Sequence, residues 1–160
     1  MEKFFAGFKK YAFRLELLQE YDVGCEREDF ENFKRTGNVS GEDLMDWHLT
    51  IENAKIRGAF MSRVHVVKRP FCDYLRYEIE ACKYNAVAGE RILFLDFEEF
   101  DKLDLRIKFD YWLFDDEVVL KMVYDEEGKF LCYEEIRGDL KLYIELKDKL
   151  LSASRDFREF

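Results

Sequence analysis

Hydrophobic and polar positions alternate with helical or strand spacing along most of the chain, and the spacing changes at glycine and proline. Apolar residues three or four apart between 44 and 54 predict an amphipathic helix, with Ser40 as its N-cap and Gly58 just beyond its end. Residues 59–68, AFMSRVHVVK, alternate apolar and polar side chains, which predicts a strand. A helix, a glycine and a strand in this order are typical of α/β layers.

The segment FCDYLRYEIEACKY, residues 71–84, fits two patterns. Its apolar residues share one side of a helix, but every second residue is also apolar, as in a strand. We favour the helix and keep the strand open. After it, RILFL (91–95) predicts a short buried strand, and DFEEFDKLDL (96–105) a short helix.

The C-terminal half contains β-rich runs followed by an amphipathic helix. The runs are YWLF (111–114), EVVLKMVYD (117–125) and KFLCYEEI (129–136), and the helix is LKLYIELKDKLLSAS (140–154). Gly128 suits the left-handed position of a short hairpin loop between the last two runs.

Together these elements predict an α/β fold, a mixed β-sheet sandwiched by helices that ends in the amphipathic C-terminal helix. We expect one domain over residues 1–160, with an α/β core at 40–155. The first 37 residues predict a helical segment, because Phe30 and Phe33 lie three apart as on one helical face.

The composition limits the partners that the surface would suit. The chain has 160 residues, 48% hydrophobic and 17% aromatic, which is enough for a stable core. Asp and Glu number 35 against 26 Lys and Arg, so the formal charge is -9. Nucleic-acid backbones and anionic membranes bind positive surfaces, so we expect no direct nucleic-acid or membrane binding.

Cysteine and histidine spacing gives no metal motif. These residues are Cys25, Cys72, Cys82, Cys132, His48 and His65. No CxxC pair occurs, so the spacing predicts neither a zinc site nor another metal site, and no glycine-rich motif predicts a cofactor. His65 shares a strand face with Arg63, which predicts an edge strand or a solvated face. Without a signal peptide or membrane span, we expect a cytoplasmic protein with reduced thiols.

Several charged residues are candidates for a ligand site, each with a simpler structural explanation. Asp115, beside Asp116, suits a turn, but could edge a cleft at a strand end together with Asp110. Asp73 and Arg76 could pair on a helix surface, or Arg76 could grip an anion with Glu90 as a polar partner. The candidate ligand-binding residues are Asp73, Arg76, Glu90, Asp110 and Asp115.

Three segments carry a resemblance to a known family. YDVGCEREDFENFKRTG, RVHVVKRPFCDYLRYEIEACKYNAVAGERILFL and DYWLFDDEVVLKMVYDEEGKFL closely resemble an uncharacterised family of small bacterial proteins, abundant in actinobacteria, often encoded beside helix-turn-helix regulators. The elements DYLR, AGE and FDD occur in the family's order, and the similarity covers about residues 13–151. The resemblance implies a helix-turn-helix DNA-binding partner.

A more distant resemblance is to one half of a phospholipase D-like domain, through AKIRGAFMSRVHVV, RILFL and WLFDDEVVLKMV. Active members carry His-x-Lys-x-x-x-x-Asp. With Asp115 as the motif's aspartate, Lys108 falls at the histidine and Asp110 at the lysine, and the register with Asp116 also lacks both. The resemblance implies this scaffold without its phosphodiesterase chemistry, so we assign no catalytic residue.

Three functions remain under consideration. The leading hypothesis is a non-catalytic regulatory or interaction domain that works with a helix-turn-helix partner, with a small anionic ligand as a candidate and a homodimer as an open alternative. The second is a small enzyme acting on a nucleotide or phosphorylated metabolite through the five candidate residues. The third is an acidic nucleic-acid mimic, which requires a continuous stripe of carboxylates.

Overall fold

A computed structural model describes residues 1–160, apart from the side chain of Asp43. Its helices are α1 (Glu2–Gly7), α2 (Arg27–Thr36), α3 (Met45–Ile56), α4 (Asp73–Ala88), α5 (Phe97–Lys102) and α6 (Lys141–Ala153). Its strands are β1 (Tyr11–Glu16), β2 (Phe60–Val67), β3 (Arg91–Asp96), β4 (Tyr111–Phe114), β5 (Val118–Tyr124), β6 (Phe130–Ile136) and β7 (Arg155–Asp156).

The strands form one mixed sheet in the order β6-β5-β4-β1-β2-β3-β7. Strands β1, β2 and β3 are parallel, and the other neighbours are antiparallel. Strand β1 is therefore the central strand, and the sheet changes there from parallel to antiparallel pairing. The predicted α/β class with a mixed sheet is confirmed.

Helices cover both faces of this sheet. On one face, α5 and α6 contribute to a large apolar cluster that includes Phe13, Leu113 and Leu150. The opposite face carries two smaller clusters, one beneath α1 and α3 and one beneath α4. The predicted sandwich and amphipathic C-terminal helix are thus observed, whereas the phospholipase D-like assignment stays a prediction.

Most elements predicted from spacing occur at the expected places. Residues 71–84 lie in helix α4, so the helical alternative was correct. The helix after Ser40 begins later than predicted, at Met45, because a 3₁₀ turn over Glu42–Leu44 precedes it. The Ser40 hydroxyl accepts a hydrogen bond from the backbone N–H of Glu42 (3.3 Å) instead of capping α3. Gly58 follows α3 with a φ of +76°, as its predicted position requires.

The prediction of a helical segment over residues 1–37 was wrong in its middle. Residues 11–16 form β1, and all six are buried. The sheet is covered on both faces, so even the polar Arg14 and Glu16 lie in the interior, and the usual contrast between an exposed and a buried strand face is missing. The spacing of the aromatic residues around this strand instead fits a helix.

The hairpin between β5 and β6 holds the segment that follows β1. Gly128 has a φ of +82°, and a Cβ atom there would lie 2.7 Å from the carbonyl oxygen of Glu20. The carbonyl oxygen of Gly128 accepts a hydrogen bond from the Asp22 N–H (3.1 Å). This close backbone approach, which only glycine allows, positions residues 20–22 beside the sheet.

Candidate functional site

A group of charged residues, most of them buried and none with a side chain more than 13% exposed, separates the two apolar clusters on the α3–α4 face of the sheet. We call this group the charged network; its members are Arg14, Glu16, Arg63, His65, Glu78, Glu90 and Asp110. Register pairs Arg14 with Arg63 and Glu16 with His65 on the adjacent strands β1 and β2. Burial of charge is costly unless partners compensate it, so the ion pairs within the network decide whether the fold can tolerate it.

Arg63 is held by two carboxylates. Its guanidinium donates two hydrogen bonds to Glu90 (2.8 and 3.1 Å), and Nη1 lies 3.4 Å from Glu16. The indole N–H of Trp47 on α3 also donates to Glu90 (3.0 Å). The Glu90 side chain has no solvent exposure, so its charge depends on Arg63 and this indole.

Arg14 is less completely paired. Its Nε atom lies 3.4 Å from Glu16, and Nη2 lies 3.3 Å from Asp110 and donates to the hydroxyl of Tyr124 (2.5 Å). The guanidinium carbon lies 5.4 Å from the ring centre of Trp112, within range of a cation–π contact. Nη1 is buried and has no hydrogen-bond partner among the described residues. Arg14 therefore keeps one unused donor at the site.

His65 is only 1% exposed and lies on β2, between β1 and β3, so the prediction of an edge strand or a solvated face was wrong. Nε2 contacts the carbonyl oxygen of Leu18 at 2.7 Å, and because a carbonyl can only accept, Nε2 carries a hydrogen. Nδ1 lies 3.2 Å from Glu78 and 3.9 Å from Glu16. Burial would lower the His65 pKa, but these negative charges and the ring's hydrogen bonds outweigh it and raise the pKa to about 9.

Two glutamates that line this region, Glu16 and Glu26, differ in their surroundings. Burial opposes ionisation of Glu16, yet Arg63 and Arg14 hold its pKa at about 2. Glu26, at the end of a 3₁₀ turn before α2, is raised to a pKa of about 7 by burial and by the charge of Glu78. Glu26 also accepts a hydrogen bond from the Tyr74 hydroxyl (3.0 Å). The site thus contains one firmly ionised carboxylate and one that is half protonated near neutral pH.

A cleft of about 600 Å³ opens above the charged network, bordered by α1, α3, α4 and the segment around Tyr21. Arg14, Glu16, Arg63 and Glu78 reach its surface. Its walls are largely aromatic, and we call it the aromatic cleft; the wall residues are Phe5, Tyr21, Trp47, Tyr74, Tyr77, Trp112 and Tyr124. Such a concave site with apolar walls and a few polar groups is the usual form of a small-molecule site.

The five residues proposed from the sequence do not gather in this cleft. Asp73 and Arg76 lie exposed on the first turn of α4. Glu90 and Asp110 are both buried and lie beneath the cleft, each bonded to one of its arginines. Asp115 lies at the β4–β5 turn, away from the cleft lining. Their role in ligand binding stays a prediction.

Asp115 has a clear structural role in this position. It has a φ of +53° and accepts hydrogen bonds from the backbone N–H groups of Lys9, Lys10 and Tyr11 (2.6, 2.7 and 2.9 Å). Its neighbour Asp116 is also left-handed and accepts from the Tyr11 hydroxyl. The interpretation of the two aspartates as turn residues is confirmed.

Sequence reasoning missed the charged network, and its N-terminal members most of all. Arg14 and Glu16 alternate with Phe13 and Leu15 in YAFRLE, a strand pattern that carries opposite charges on one face. An identical alternation occurs at Arg63 and His65 in β2. Two such strands would have been a signal for a buried ionic layer, had β1 been recognised as a strand.

The variant Glu26→Gln is expected to flatten the pH dependence of stability between about pH 5 and pH 8. The pKa of about 7 lies above the ordinary 4.5, so the folded state holds this proton more tightly than the unfolded chain. The contribution of Glu26 is complete below about pH 4.5 and is lost as the pH rises through about 7. Gln cannot ionise, but it keeps an oxygen that can accept from Tyr74. The wild type should therefore lose roughly 2 kcal/mol more stability than Glu26→Gln across this pH range.

Urea unfolding at several pH values measures this effect. Glu28→Gln, which alters an exposed residue of α2, should follow the wild type at every pH. Identical pH slopes for Glu26→Gln and the wild type would contradict the raised pKa.

Comparison with known proteins adds a family and no function. No curated protein matches the chain. Among the described residues, every helix is too short or too polar to cross a membrane. One family model, a domain of unknown function designated DUF6879, matches residues 1–160. This match covers the whole sequence, and the chain therefore belongs to the DUF6879 family.

Proposed function

We propose that this chain is a non-catalytic regulatory domain that binds a small molecule in the aromatic cleft and communicates its occupancy to a protein partner. The observation that carries the proposal is the buried charged network beneath a cleft with aromatic walls. Buried ionic groups add little to stability compared with apolar replacements, so a buried network that opens into a cleft favours a binding role.

The contacts of the histidines favour binding over nucleophilic chemistry. His48 contacts the side-chain oxygen of Asn85 (3.0 Å), and His65 contacts Leu18 and Glu78. Activation of a serine or cysteine needs a base within hydrogen-bond reach of its hydroxyl or thiol. Neither histidine has such a partner among the contacts of the described residues.

The charges of the cleft favour a neutral or zwitterionic ligand with a flat body. Aromatic walls offer stacking surfaces, and the guanidinium groups of Arg14 and Arg63, which line the cleft, offer donors to a carbonyl or carboxylate. Glu26 and Glu78 also line the cleft and offer acceptors to an amino group. Carboxylates outnumber guanidinium groups here, so a small anion or a phosphorylated metabolite suits the cleft less well, although an anionic ligand stays a prediction.

Blocking the cleft tests the proposal without disturbing the charged network. Thr50 is half-buried on α3 and lines the cleft, so Thr50→Trp should fill its mouth. We expect thermal-shift and calorimetric screens of aromatic amines, amino acids, nucleosides, nucleotides and sugar phosphates to find at least one ligand for the wild type. Thr50→Trp should weaken that ligand at least tenfold.

Thr36→Trp is the matched control, because both threonine hydroxyls donate to the carbonyl four residues earlier and Thr36 is exposed on α2. It should bind like the wild type. A screen without any ligand, or a ligand that binds Thr50→Trp as tightly as the wild type, would count against the proposal.

The protein partner is a separate part of the proposal. The family resemblance supports a helix-turn-helix DNA-binding protein, and the formal charge of -9 suits a basic partner surface. Tagged full-length chain purified from its host should retain such a protein in stoichiometric amount. If the chain is recovered alone, even from cells treated with a crosslinker, the protein partner is removed from the proposal. The ligand site is then judged by the Thr50→Trp experiment.

A further inference from the structure

Three potential metal ligands from distant parts of the chain converge at the floor of the aromatic cleft. Donor atoms of Glu16 on β1, His65 on β2 and Glu78 on α4 all lie within 4.8 Å of one another. Bonds from Zn²⁺ to nitrogen and oxygen ligands are about 2.0 to 2.2 Å long, so two ligands of one ion lie about 3 to 4 Å apart. Shifts of about 1 Å would therefore bring all three side chains onto a single ion.

The imidazole of His65 is oriented as in a metal ligand. Its Nε2–H donates to the carbonyl oxygen of Leu18 (2.7 Å), which directs Nδ1 toward both carboxylates. Ligating histidines usually donate their second ring N–H to a carbonyl or carboxylate in this way. A metal ion bound by Nδ1 would take the place of the proton that otherwise joins His65 to Glu78.

The carboxylates also retain bonding capacity. Oε2 of Glu78 is buried and lacks a well-aligned hydrogen bond among the described residues, although it lies 3.2 Å from Nδ1. Glu16 is held by Arg14 and Arg63, each at 3.4 Å, which fixes its orientation while the oxygens keep free lone pairs.

Charge balance and access are compatible with a divalent cation. When His65 is neutral, carboxylates of the charged network and Glu26 outnumber the two guanidinium groups, so a divalent ion brings the region closer to neutrality. Glu16 and Glu78 line the cleft, so coordination positions left by three protein ligands would face it.

We propose that Glu16, His65 and Glu78 bind one divalent transition-metal ion of the class of Mn²⁺ and Zn²⁺. Two carboxylates with one imidazole suit these ions, whereas Mg²⁺ and Ca²⁺ prefer oxygen ligands alone and Cu⁺ prefers sulfur. The ion would face the cleft and offer its open positions to water or to a cleft ligand. This site does not depend on the proposed function, since it requires only these three side chains.

Metal titration of the full chain after chelator treatment and dialysis tests the site. We expect calorimetry to find one-site binding of Zn²⁺ or Mn²⁺, with Mg²⁺ much weaker, and the bound ion should raise the melting temperature. Glu78→Gln and His65→Gln should each weaken binding at least tenfold. Electron paramagnetic resonance should show the loss of the free Mn²⁺ signal at one equivalent of wild-type protein.

The controls change residues of the same type outside the site. His48→Gln alters the chain's other histidine, and Glu80→Gln alters a more exposed α4 glutamate that pairs with Lys83. Both should bind metal like the wild type. Absence of one-site binding, or equal binding by Glu78→Gln, would overturn the proposal. Glu78→Gln and the wild-type resonance signal decide the outcome even if His65→Gln fails to fold.

Discussion

Arg63→Met is expected to lower the free energy of unfolding by about 3 to 5 kcal/mol, because it leaves the buried carboxylates of Glu90 and Glu16 without their main partner. Glu90 is the more affected, since its unexposed side chain accepts two hydrogen bonds from this one guanidinium. Only the indole of Trp47 would remain as a donor to it among the contacts described. Urea unfolding at neutral pH measures the loss.

Two further variants separate charge from packing. Arg91→Met removes an exposed arginine from the neighbouring strand β3 and should change stability by less than about 0.5 kcal/mol. Glu90→Gln added to Arg63→Met should recover part of the loss, because the uncompensated charge is then absent. A loss for Arg63→Met no larger than that for Arg91→Met would contradict the buried ionic layer.

Asp115→Ala is expected to cost about 3 kcal/mol of stability while leaving the aromatic cleft intact. Three backbone N–H groups, those of Lys9, Lys10 and Tyr11, lose their charged acceptor. Alanine is also unfavourable at a φ of +53°. The link between the start of β1 and the β4–β5 turn should therefore weaken, and thermal unfolding with urea titration would measure it.

Asp115→Asn and Asp104→Ala separate the hydrogen-bond contribution to this loss of stability from the backbone contribution. Asparagine tolerates the left-handed backbone but offers one oxygen acceptor, so it should lose less than alanine does. Asp104 is exposed with a φ of +46°, so Asp104→Ala reports mainly the backbone term, about 1 kcal/mol. A cost for Asp115→Ala equal to that for Asp104→Ala would show that the three hydrogen bonds add nothing.

The helices and strands from Met45 onward could be predicted largely from spacing. The strand at 59–68, the helix at 71–84 and the hairpin at Gly128 all have local patterns that match their final structure. Such patterns work because the residues that show them lie within a few positions of one another. The segment at 11–16 failed because its alternation is limited to residues 13–16 and follows aromatic residues whose spacing fits a helix.

The candidate site could not be predicted in the same way. Asp115, for which a cleft position was the alternative to a turn, bonds backbone groups more than a hundred positions earlier. Arg76, for which anion binding was the alternative to a helix-surface pair, lies exposed on α4. Type and position in the sequence therefore suggested charged residues near strand ends, but not which of them the fold would bury together.

By itself, the sequence determined the α/β class, most of the element boundaries, the acidic surface and the absence of a short-range metal or nucleotide motif, because each depends on composition or on neighbours along the chain. Only the tertiary structure decided that Arg14, Arg63, His65 and their carboxylates meet beneath an aromatic cleft. Register places Arg14 beside Arg63 across two strands 49 positions apart. Electrostatic interactions depend on distance in space and on burial, and both are set only when the strands pair and the helices cover the sheet.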